Sequence, residues 1–210
     1  MQTTLHQYLK EMTRANHSAA EGHPFQGTLA NGKLGREAYV DYLQQLRELH
    51  AGFEAKLAQA AERDAVVKDV MKPEYYQLPF IENDLKALGA PHARPLECIT
   101  KFNESPLFDR TPASLIDVLY VLLGSKHGGK FIAHNVKEAY SLDGAGWTYF
   151  KPYGDNFQDL WKGFTESLNA MPVDEKQRES MLEAASATFD VFGEMGEKIW
   201  ERMERKPEPV

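Results

Sequence analysis

Cysteine is almost absent from the chain: Cys98 is the single one in 210 residues. That excludes an internal disulfide and any zinc site built on paired cysteines, and it fits a reducing compartment. Long apolar runs are missing as well. The longest, Leu115 to Leu123, falls far short of the roughly 18–20 residues that span a bilayer, so no membrane anchor is expected. The opening residues Met1-Gln-Thr-Thr-Leu-His-Gln-Tyr8 carry neither the basic region nor the apolar core of a signal peptide, and a cytoplasmic protein is expected. Lysine and arginine form no dense block, and the formal net charge is −7 with a pI near 5.5. Both argue against nucleic acid as a partner, because phosphate contacts need clustered cations. Period-two alternation of β-branched residues is also lacking, which removes β-structure from consideration. There is no Gly-x-Gly-x-x-Gly after a strand, no Walker loop, no Gly-x-Ser-x-Gly elbow and no Glu-x-x-His element. Phosphate cradles, serine-hydrolase chemistry and dinuclear carboxylate centres therefore lack their usual scaffolds.

What the chain does contain is helical periodicity from end to end. Thr4 and Gln7 form a capping-box pattern, and Leu5, Tyr8, Leu9 and Met12 follow at helical spacing, which predicts a first helix over Leu5–Glu21. A short helix is expected over 24–30. A long one starts at Gly35 and ends near Ala61, with Tyr39, Tyr42, Leu43, Leu46, Leu49, Phe53 and Leu57 as its apolar stripe. Its residues Gln44, Gln45, Arg47 and Glu48 are assigned to the opposite, polar side. Shorter helices are expected over 64–71, 80–88 (with Asp84 on its polar face) and 96–103. Thr111-Pro112 reads as a helix start for a segment running to about Leu142. Two more helices, over 156–171 and from 174 to 205, complete an all-α fold. A single domain over 1–210 is expected, with 206–210 as a short polar tail.

Two features stand out from that frame. The segment Gly124-Ser-Lys-His-Gly-Gly-Lys130 interrupts the most apolar helix with glycines at 124, 128 and 129, each costing about 1 kcal/mol relative to alanine. Either the chain turns there, or one long helix bends so that its backbone lies against something flat. The second feature is His17 with Glu21 four residues later on the same face. A carboxylate at that spacing accepts a hydrogen bond from one ring nitrogen and leaves the other free and oriented, an arrangement common behind metal-bound histidines. On an exposed helix the same pair is also often an ordinary surface contact. A flat ligand with iron at its centre uses both features together.

With these residues in view, the chain resembles the haem oxygenase family. Leu9-Lys-Glu-Met-Thr-Arg-Ala-Asn-His-Ser-Ala-Ala-Glu21 is similar to the family's first helix, and the resemblance makes His17 the proximal haem-iron ligand and Glu21 its hydrogen-bonding partner. Leu122-Leu-Gly-Ser-Lys-His-Gly-Gly-Lys130 is similar to the glycine-containing distal helix, with Gly124, Gly128 and Gly129 on its three glycines. Phe157 to Met171 resembles the helix that lends basic residues to the haem propionates; Lys162 matches one of them and Gln158 replaces another. Phe189 falls where the family places an aromatic beside the haem. The matches come in order and cover most of the chain, the stretch 68–109 contributing little.

The resemblance implies an all-helical haem oxygenase fold with a kinked distal helix. It also implies cleavage of haem to biliverdin, carbon monoxide and ferrous iron, with O2 and electrons from a reductase or ferredoxin. Haem is then both substrate and cofactor. The departure is Ser125, which stands where most members have an aspartate that orders distal water, while His127 replaces a small serine. Ser125 and His127 are expected to shape the distal water network, although His127 has two other options: pointing away, or ligating iron. The missing carboxylate keeps two alternatives open, a haem-binding or storage protein without turnover and a scaffold of the same fold that binds no haem.

Overall fold

A computed structural model describes residues 3–205, and all regular structure among them is helical. The chain enters α1 (Leu5–Met12) through the expected capping box: the Thr4 side chain accepts from the Gln7 N–H while the Gln7 side chain returns to the Thr4 N–H. It continues into α2 (Arg14–Gly22) and α3 (Pro24–Ala30). The long α4 (Arg36–Arg63) is followed by α5 (Ala65–Val70), a single 3-10 turn over Pro73–Tyr75, and α6 (Leu78–Ala87). Then come α7 (Glu97–Asn103), the one-turn α8 (Leu107–Arg110), α9 (Ala113–Gly124), α10 (Lys126–Ala139), 3-10 turns over Thr148–Phe150 and Gly154–Asn156, α11 (Phe157–Ala170) and α12 (Glu175–Glu204). The expected tail over 206–210 lies outside the described residues.

The sequence predicts one helix over Leu5–Glu21 and one from Pro112 to Leu142; each is instead two helices that abut at a single hydroxyl residue. At Thr13 the side-chain hydroxyl donates to the Leu9 carbonyl (2.8 Å), and at Ser125 it donates to the Leu122 carbonyl (2.7 Å). Such back-bonding draws a carbonyl off the helix axis and bends the rod. The backbone ladder survives both bends, since Thr13 N–H reaches Leu9 (2.9 Å) and Ser125 N–H reaches Val121 (2.9 Å). Ser125 itself stays helical at φ −58°, ψ −20°. Of the two readings of the glycine segment, the bent helix is therefore the observed one. α10 ends at Ala139 rather than Leu142, because Ser141 turns into the left-handed region at φ 51°.

The core forms around α9. Every residue from Ala113 to Leu123 is buried, as expected for a helix that is apolar on all sides. α12 lies along α9, and α4 carries α5, α6 and α7 on its flank. Phe25, Leu46, Phe53, Ile116, Phe164 and Ala184 are each 0 or 1% exposed, and full burial of a large apolar side chain stabilises by about 1.5–3 kcal/mol. Two positions assigned to polar faces turn inward. Gln45 is 1% exposed and bridges α4 to the chain before α7, accepting from Leu96 N–H (2.9 Å) and donating to the Arg94 carbonyl (3.3 Å). Asp84 is fully buried and accepts from Gly146 N (2.7 Å), Thr148 N (3.0 Å), Thr148 Oγ1 (2.7 Å) and Tyr149 N (2.8 Å). Four donors replace the water that a buried carboxylate loses, and they pin the loop that carries Tyr149 and Phe150 against α10.

Candidate functional site

α2 packs on α3 and α12 and forms no extensive contact with α10, so the face carrying His17 stays open. His17 Nδ1 lies 3.3 Å from Glu21 Oε2, with the side chains 58% and 73% exposed. When Nδ1–H donates to the carboxylate, Nε2 keeps its lone pair and points away from Glu21. The Phe189 ring, on α12, meets the His17 imidazole edge to face at 5.9 Å between centroids. His17 and Glu21 are thus in contact, as their spacing implied, and Phe189, named through the family resemblance, lies beside them. Among the described residues no group of three or more His, Cys, Asp or Glu side chains converges to hold a bare metal ion. A single presented imidazole suits an iron whose other ligands come from a macrocycle.

The three glycines separate into different roles. A Cβ at Gly129 would collide with the Phe150 carbonyl, so that glycine lets the 148–150 turn pack against α10. Gly124 stands against the Trp161 indole, where a Cβ would sit at an ordinary 3.5 Å. At Gly128 a Cβ would meet nothing within 4 Å. The helix thus presents bare backbone on its open side at Gly128 and, beside Trp161, at Gly124. A flat ring fits such a surface.

His127 turns toward α11, its ring edge-on to Phe157 (4.8 Å) and Trp161 (5.0 Å). His6, on α1, packs on the same Trp161 (5.8 Å) and on Tyr120 (5.9 Å). Both imidazoles are held below their ordinary pKa, first by burial and then by the nearby Lys10 ammonium. Lys10, His6 and His127 thus gather at one corner between α1, α10 and α11, where an anion would relieve their mutual repulsion. Lys162, the residue expected to meet a propionate, is 75% exposed and 4.0 Å from Glu166. Sequence reasoning missed Lys10 and His6, which sit one and two turns before Thr13 on the first helix. The signal available was their spacing: residues 6 and 10 are an i, i+4 pair that shares a helix face.

A second group was missed altogether. Lys126 follows Ser125 and is 6% exposed, with Nζ 3.3 Å from the centroid of the Tyr149 ring. His50 and Glu54 on α4 lie beneath it, with His50 Nδ1 2.8 Å from Glu54 Oε1 and Nε2 3.2 Å from the Tyr149 hydroxyl. Burial lowers the pKa of Lys126 well below the usual lysine range, against the pull of Glu54 and Asp84. Burial likewise lowers that of His50, against its contact with Glu54.

Three comparisons bear on this arrangement. The sequence profile of the family described as "Heme oxygenase" matches residues 3–198. The heme oxygenase 2 of Synechocystis sp. is 23% identical over 205 residues, an alignment that takes in 92% of this chain and 82% of that protein. The crystal structure of Synechocystis heme oxygenase-2 in complex with heme and NO superimposes with a TM-score of 0.88 at 22% identity, covering 96% of this chain and 87% of that one. A domain of unknown function with a heme oxygenase-like fold from Shewanella denitrificans superimposes at 0.75 with 10% identity, covering 95% and 93%.

Proposed function

This chain belongs to the haem oxygenase family, and from that premise we propose that it binds one haem between α2 and the α9–α10 bend and opens the ring oxidatively to biliverdin, carbon monoxide and ferrous iron. Bound haem supplies the redox-active iron at which dioxygen is activated. The observation that carries the reading is the His17–Glu21 pair on an open helix face, with Nε2 free and Phe189 against the ring.

In this reading each residue has a defined task. His17 Nε2 ligates the iron, and Glu21 fixes the tautomer and ring orientation. Gly124 and Gly128 let the macrocycle approach backbone, and Phe189 holds the imidazole from the side. Lys10, His6 and His127 receive the propionate edge, with Lys162 at its rim. Gly129 sets the packing of α10. Ser125 retains a hydroxyl that orders water but has no charge to anchor it. O2 and an electron donor such as a reductase or ferredoxin complete the reaction, and the cytoplasm is the compartment in which these meet.

A second reading, haem binding without turnover, is favoured by one observation: Ser125 supplies no distal carboxylate, and its hydroxyl is committed to the Leu122 carbonyl. Incubating the hemin complex with ascorbate or a reductase system under air separates the two. Bleaching of the Soret band with rising biliverdin absorbance is the expected result. A band that persists through reduction, with no biliverdin, makes the protein a haem carrier.

A further inference from the structure

The two sides of α10 differ in chemistry. Gly124 and Gly128 lie on the side that would cover haem, whereas Lys126 and Lys130, an i, i+4 pair, stand about 160° away from them around the helix. That rear side closes a cavity of about 210 Å³ against the 150–155 loop and the first turn of α11. Lys126, Lys130 and Lys151 line it together with His127 and Gln158. Of the lining residues Asp155 alone is acidic, and at 3.2 Å from Lys151 Nζ it offsets that lysine. The charges of Lys126 and Lys130 are left over.

Lys126 is the informative member. It is 6% exposed, and its Nζ lies 3.3 Å from the centroid of the Tyr149 ring. Among the described residues nothing accepts a hydrogen bond from Nζ, and no carboxylate forms an ion pair with it. An aromatic face attracts an ammonium on one side without satisfying its three N–H donors. Glu54 and Asp84 pull on the charge from farther off, and burial opposes it more strongly. A buried cation so placed gains from an anion in the space beside it.

The wall opposite Lys126 points the same way. α11 runs for 14 residues, and its N-cap, Asn156, makes no side-chain hydrogen bond to the helix. Phe157 and Gln158, the first two residues of that helix, line the cavity. The positive end of the helix dipole therefore lies at the same space.

We propose that this cavity is a binding site for a phosphate group, held between Lys126 and Lys130 on α10 and the N-terminus of α11. Two unoffset ammonium groups match a phosphate charge of about −1.5 to −2 near neutral pH, whereas a single carboxylate leaves one of them over. Lys130 meets the group from the exposed rim and Lys126 from inside, so bound phosphate ties the rear of the bent helix to α11. The site is separate from the haem-facing side and does not depend on the function proposed above. Free phosphate and a phosphate carried on a larger molecule share this chemistry.

The test uses the haem-free protein and inorganic phosphate, titrated at an ionic strength held constant with sodium chloride. Tm is expected to rise saturably, by about 3–6 °C at ten times Kd, and calorimetry to give one site. Lys130→Met, on the exposed rim, is expected to weaken phosphate binding roughly tenfold or more through loss of one charge-assisted contact, with recovery in Lys130→Arg. Lys126→Met is expected to abolish binding while its Tm in chloride alone stays at or above that of the wild type, because methionine fills the position without a buried charge. Lys176→Met, exposed on α12, leaves binding unchanged. Glycerol phosphate, titrated in parallel, names the source. Affinity equal to that of inorganic phosphate assigns the site to a carried phosphate group, and much weaker binding assigns it to the free ion. No effect beyond that of chloride, or wild-type phosphate affinity in Lys130→Met, overturns the proposal. Loss of phosphate binding on addition of hemin also overturns it, since the cavity would then be part of the haem site.

Discussion

Single residues set the clearest tests. Gly128 and Gly129 are neighbours with opposite tasks, and alanine separates them. Gly129→Ala drives a methyl into the Phe150 carbonyl and is expected to destabilise by about 1–3 kcal/mol, as overpacked sites do. Gly128→Ala meets open space and is expected to stabilise the haem-free protein by roughly 1 kcal/mol through helix propensity, while weakening hemin affinity. Urea unfolding and a hemin titration on both variants check the pair. Asp117 is a second such residue. It is fully buried on α9, neither carboxylate oxygen has a partner, and burial holds its pKa well above 3.8. Above pH 3.8 the unfolded chain gives up a proton that the native state keeps, so this group costs stability as pH rises. Asp117→Leu is expected to raise stability at pH 7 by about 1–3 kcal/mol, with a smaller gain at pH 4, both read from urea midpoints.

At the scale of elements, the bends matter more than the helices. Helix existence was legible from periodicity, a capping box and proline, and the His17–Glu21 contact was legible from its i, i+4 spacing, while Phe189 came from the family resemblance. The bend in the glycine segment was legible as one of two readings, but the break at Thr13 and the hydroxyl at which each bend falls were not. A hydroxyl in a helix either faces solvent or bonds back to its own turn, and the choice depends on what packs around it. The buried polar residues were hidden for the same reason. Asp84, Gln45, His50 and Glu54 look like a solvated face in one dimension, and only the loop and helix starts that they hold in three dimensions explain their burial. His50 gives this element a pH signature. Its pKa is lowered by burial despite Glu54, so below about 6.5 the unfolded chain binds a proton that the native site resists, and stability falls with pH. His6 and His127, also lowered, act in the same direction. The urea midpoint is expected to drop between pH 7.5 and 5.5, with a shallower drop in His50→Leu.

At the scale of the whole molecule, the fold is a helical frame that leaves α2 and α10 apart and supports each from behind. α12 backs α2 and α9, while the Asp84-pinned loop backs α10. Among the described residues no helix is long and apolar enough to cross a membrane. The frame accounts for the family match over residues 3–198. The most direct test is a hemin titration of the wild-type protein and His17→Ala, followed at the Soret band. A sharp one-to-one band is expected in the wild type and is lost or strongly shifted in His17→Ala, while the unfolding midpoint of the haem-free variant stays unchanged. No band in the wild type, or the same band in His17→Ala, would contradict haem binding through His17.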